Sequence, residues 1–184
     1  MSIWYPRISR RDLPGMLRIS VLCAIAAGIY GILHDQLTYT ISPDYFTHIK
    51  FRQFAFADFG LPPRILVAEI GFLASWWVGL AGGWLLARIG LADFHTGLAH
   101  VLAIIAGIAF IAAVLAGLFG WVRSYSDLGG RKVWQQTLSS VDLRRLIIVA
   151  YVHWGSYIGG CLGLVAASLY VKRGKDIGLL SNSD

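Results

Sequence analysis

The run LAHVLAIIAGIAFIAAVLAGLFGWV, Leu98 to Val122, contains no acidic residue, lysine or arginine and lacks the period-two alternation of a strand. Crossing a hydrocarbon core of about 30 Å takes about 20 apolar residues as a helix, and a helix satisfies its own backbone hydrogen bonds in lipid. Three more runs reach similar length: Met16 to Leu33, Ile65 to Ala87 and Leu146 to Val171. Together they predict an all-α fold, a four-helix transmembrane bundle forming one integral membrane domain over residues 1–184. Composition agrees, because 57% hydrophobic residues in a chain of 184 leave too little polar surface for a soluble domain of this size.

Arg7, Arg10, Arg11 and Arg18 could mark the first run as a secretory leader, but it is long for one, and Tyr30-Gly31-Ile32-Leu33-His34 is no small-residue cleavage site. It is read as a retained helix. Cys23 and Cys161 both fall within apolar runs, where buried thiols are ordinary packing residues. Positive charge before the first helix and on the Lys172-Arg173-Lys175 tail argues for cytoplasmic termini and a cytoplasmic link around Asp93. Lys50, Arg52, Arg64, Arg123, Arg131, Lys132, Arg144 and Arg145 count against it, and the first helix, with Asp35 just after it, decides. The net charge of +6 is dispersed over helix flanks, which implies contact with membrane lipids and no nucleic acid.

The short link from Ile89 to Gly97 predicts an antiparallel hairpin of the second and third helices. The connections Asp35 to Arg64 and Arg123 to Arg145 are long and emerge on the same side. Within the first, Ser42-Pro43-Asp44 reads as a helix start: serine at the N-cap, proline at the first helical position, an acid in the first turn. The aromatic-rich stretch that follows, Tyr45, Phe46, Ile49, Phe51, Phe54, Phe56 and Phe59 with Lys50 and Arg52 between them, has the character of a headgroup-layer segment. Small residues four apart, Gly79 and Gly83, Ala103 and Gly107, and Gly155, Gly159 and Gly163, predict close helix contacts, within one chain in preference to a homo-oligomer or another membrane subunit.

Polar residues gather at the end of the bundle that carries the long connections. His34 and Asp35 end the first apolar run, Glu69 lies about one turn into the second, and His153 about two turns into the fourth. A carboxylate within a span costs about 2.5–3.5 kcal/mol at the helix centre on insertion scales, so it normally faces the bundle and has a partner. Imidazoles and carboxylates drawn from separate helices are a ligand set for a bundle-core metal. The expected ligands are His34, Asp35, Asp44, Glu69 and His153, surrounded by Tyr45, Trp76, Ser156 and Tyr157. The blander readings are Glu69 paired with Arg64, interfacial histidines at His34, His95 and His100, and tryptophans as belt and packing residues.

The stretches His34-Asp35-Gln36-Leu37-Thr38, Asp44-Tyr45-Phe46-Thr47 and Trp76-Trp77-Val78-Gly79, with a late His153 before Ser156-Tyr157, resemble a family of bacterial four-helix inner-membrane proteins. The family pattern reads H-D-x-[VIL]-T, [ED]-Y-F-T and W-W-V-G, with glutamate usual where this chain has Asp44. The resemblance implies the architecture and a multi-pass place in a bacterial plasma membrane, and it names no activity.

Four readings follow. The first is a site for a transition metal (iron, manganese, zinc or copper) on the non-cytoplasmic face. The others are an accessory or scaffold subunit of a membrane complex, a small-solute or proton-coupled transporter, and a b-type haem held between His34 and His153. Haem ranks last because acids crowd both histidines.

Overall fold

The computed structural model describes residues 8–91, 95–125 and 142–176, and Asp93, Arg131 and Lys132 lie outside them. Its four long helices are Leu13–Ile41, Pro63–Arg88, His95–Arg123 and Leu143–Asp176. Each is long and apolar enough to cross a bilayer, so the chain is a multi-pass helical membrane protein. All four begin before and end after the expected spans. The largest difference is at the first helix, which runs through His34 and Asp35 to Ile41 and stops where Ser42 precedes Pro43. A residue before proline is driven out of the α region, and Ser42 is extended at φ −143°, ψ 93°. The His34-Asp35 pair therefore lies inside the helix, about two turns from its end.

Ser42 then caps a short connecting helix as the sequence predicts, its hydroxyl accepting from the Tyr45 backbone N–H at 3.4 Å. The helix passes through an α turn at Pro43–Tyr45, a π turn at Phe46–Lys50 and another α turn at Phe51–Gln53. Phe46 and Lys50, four residues apart, are both buried, while Phe56 and Phe59 beyond the helix are about three-quarters exposed. The connection thus differs from a uniform headgroup segment. Its first half folds onto the bundle, and its second half keeps the exposed aromatic character expected of an interface.

The helices associate as two close pairs, first with second and third with fourth, with much sparser contact between the pairs. The second and third helices, which the short link joins, are not one of the close pairs. The reason is where the small residues face. Gly31 and Gly71 meet backbone to backbone, Gly79 and Gly83 receive Cys23 and Ser20, and Gly155, Gly159 and Gly163 receive Ala112, Ala109 and Ile105. Gly107 has open space around it, so it makes none of the expected contact. The pairs join through an apolar cluster from all four helices at the short-link end, including Met16, Cys23, Leu86, Val101, Ala167 and Val171. Cys23 is ordinary packing, and Cys161 is exposed. Gly31→Val is expected to destabilise the protein by at least about 2 kcal/mol, because a side chain there meets backbone that has nowhere to go. Gly107→Ala should leave thermal unfolding in detergent unchanged.

Candidate functional site

At the opposite end from the apolar cluster, the first helix, the connecting helix and the fourth helix converge on His153, which is 2% exposed. Its ring is bracketed by His34 edge-on at 4.8 Å between centroids, Tyr45 at 4.7 Å, Phe46 at 6.1 Å and Tyr157 at 6.3 Å. Tyr30 stacks on His34 at 5.8 Å and shares a 2.9 Å hydrogen bond with Ser156. Aromatic walls exclude water, so polar atoms inside them must be paired with one another or with a ligand.

The hydrogen-bond ledger at His153 is informative. Nδ1 lies 2.9 Å from the Val149 carbonyl oxygen. A carbonyl only accepts, so Nδ1 carries the proton and donates, and in the neutral ring Nε2 is left as a lone pair. That lone pair faces Asp35 Oδ1 at 3.2 Å. Two acceptors at this distance repel unless positive charge lies with them: a proton on Nε2, a proton on the carboxyl or a bound cation. Thr38 braces the turn, its hydroxyl donating to the carbonyls of His34 at 2.9 Å and Asp35 at 3.2 Å, which gives the H-D-x-x-T spacing a local reason.

Lys50 is the member that sequence reasoning missed. It is 3% exposed, with Nζ 3.9 Å from Asp35 Oδ2 and 5.8 Å from the centre of the Phe54 ring. At 3.9 Å this is an ion pair and too long for a hydrogen bond, so Oδ2 is compensated in charge while lacking a hydrogen-bond partner. The signal was present. Once Ser42 is taken as the cap, Phe46, Lys50 and Phe54 follow at four-residue spacing and share a face. Tyr45 closes the site from the same helix. Burial first, then the neighbouring Tyr157 phenol and the Asp35 charge, push its phenol above its ordinary range, so it remains a proton donor at physiological pH.

Of the five expected ligands, the structure brings three together. His34, Asp35 and His153 each offer a ligand atom, and these lie within 4.8 Å of one another. Asp44 is drawn away because its Oδ2 accepts from the Asp142 backbone N–H at 3.2 Å, tying the connecting helix to the start of the fourth helix. Glu69 faces a separate groove between the first two helices, with Ile32, Leu61 and Phe72. Neither expected pairing of Glu69 occurs, since Arg64 instead bonds Gln36 and Thr40 and lies 4.8 Å from the Tyr39 ring. Trp76 is partly exposed on the surface of the second helix, whereas Tyr45, Ser156 and Tyr157 do surround the site.

Two imidazoles and one carboxylate fit a borderline transition metal. A tetrahedral ion with bonds of about 2.1 Å sets its donors about 3.4 Å apart, so loading would draw the widest pair inward by at most about 1.4 Å. A haem fits poorly, because the two rings touch and Asp35 occupies the approach to Nε2. No protein-family model, curated protein or solved structure matches this chain.

Proposed function

We propose that the protein binds a transition metal through His34, Asp35 and His153, with Tyr45, Ser156 and Tyr157 forming the wall of the site. The supporting observation is the convergence of buried electron pairs: His34 Nε2 and Asp35 Oδ2 have no hydrogen-bond partner, and His153 Nε2 faces Asp35 Oδ1. Two imidazoles and one carboxylate leave coordination positions for water or a small ligand, the arrangement that catalytic and ligand-binding metals share. The decisive experiment is elemental analysis of protein purified in detergent without chelator. Close to one equivalent of iron, manganese, zinc or copper supports the reading, and negligible metal refutes it.

Lys50 supports a second reading. Its ammonium already balances the Asp35 charge, so Asp35, Lys50 and His153 could instead hold and pass a proton, as intramembrane ionisable groups do in relays. Metal content separates the two.

The site is assigned to the non-cytoplasmic face of a bacterial inner membrane, with both termini cytoplasmic, on the arginines before the first helix and the family resemblance. An impermeant maleimide added outside is expected to label Asp58→Cys and spare Ser183→Cys, and the reverse pattern would invert the orientation.

A further inference from the structure

Among the described residues, three buried side-chain atoms lack a hydrogen-bond partner, and two belong to the site above. The third, Glu69 Oε2, is more than an accident of packing. Its residue lines an open cavity of about 430 Å³ between the first two helices, walled also by Ile32, Leu61, Ile65, Phe72 and Leu73, while Oε2 itself is buried. Leu61, Ile65 and Phe72 are exposed, so the cavity opens on the outer surface of the span. An occupant therefore arrives through the membrane.

Depth narrows the choice. The second helix has 26 residues, about 39 Å, against a hydrocarbon core of about 30 Å, leaving about 4–5 Å of overhang at each end. Glu69 is six residues beyond Pro63, about 9 Å along the axis, which places its Cα about 4–5 Å inside the boundary. Helical side chains lean toward the N-terminus, so the carboxyl reaches the level where chains end and headgroups begin. A ligand here needs an apolar body and, at one end, a donor that can approach a carboxylate. Arg64, exposed one turn nearer the helix start, adds positive charge beside the position a phosphate would take.

We propose that this groove holds a phospholipid whose headgroup carries a primary ammonium. One acyl chain lies against Ile32, Leu61, Ile65 and Phe72, and the ammonium donates to the Glu69 carboxylate. A choline headgroup has the same charge and no N–H, so it can fill the groove without making that bond. The site is independent of the metal reading.

Native mass spectrometry of the delipidated full-length protein, titrated with dioleoylphosphatidylethanolamine or dioleoylphosphatidylcholine, tests this. The ethanolamine lipid is expected to bind at least about tenfold more tightly, the gain of one charge-assisted hydrogen bond. Glu69→Gln should abolish the preference, and Ile65→Trp, which fills the groove from an exposed position, should weaken both lipids. Equal binding by the wild type, a preference that survives Glu69→Gln, or unaltered binding by Ile65→Trp would each overturn the proposal.

Discussion

Replacing Asp35 with alanine is expected to destabilise the protein by about 3–5 kcal/mol, the cost of leaving a buried charge without its partner. Lys50 is 3% exposed and buried beside Phe54, so its ammonium has no short path to water once Asp35 is gone. His153 Nε2 loses its neighbour at the same time. For a chain of this length the loss corresponds to roughly 10 °C in melting temperature. Lys50→Met in the Asp35→Ala background should recover most of it, because an apolar replacement of a buried ion pair is often neutral or stabilising. Thermal unfolding in detergent of the two single variants and the double variant yields the coupling directly. A nearly neutral Asp35→Ala would mean that Lys50 reaches water and that the pair is not a buried one.

The architecture was legible in the sequence because a bilayer imposes a length that composition can be measured against. Four runs of sufficient apolar length gave four helices. Pairing was less legible. The short link around Asp93 suggested that the second and third helices would pack together, but chain connectivity only places helices nearby, and the backbone contacts went to whichever faces carried small residues in register. Gly31 and Gly71 show the difficulty: each looks like one more glycine in an apolar run, and only their shared level in the folded protein makes them a contact.

The site was legible in part for a related reason. His34, Asp35 and His153 stood out as polar residues that lipid penalises, and a buried partner is what the penalty predicts. The same logic overreached at Glu69, which lines a groove between the first two helices and stays outside the cluster. It also overreached at Asp44, whose place in a first helical turn led instead to a backbone N–H across the connection. Lys50 was missed because a lysine in an aromatic connection reads as an interfacial cation. The four-residue spacing of Phe46, Lys50 and Phe54 was the signal, and it tells only when the segment is read as helix past Lys50.

Protein purified without chelator is expected to carry close to one transition-metal ion per chain, and His34→Ala or His153→Ala should each remove most of it while leaving helical content and elution volume unchanged. Glu69→Gln and Asp44→Asn should keep the metal, since both carboxylates lie outside the cluster. This differs from the expectation drawn from the sequence, in which Glu69 was a ligand. Lys50→Met is the most discriminating variant. Its ammonium lies 3.9 Å from Asp35 and repels a second cation at the same carboxylate, so removing it should tighten metal binding by more than about tenfold. Protons compete for the same imidazole lone pairs, so metal retention should fall on acidification. If the wild type and Lys50→Met both lack metal at neutral pH, Lys50 is the cation the site was built around. The convergence of His34, Asp35 and His153 is then a proton-holding network closed by the connecting helix.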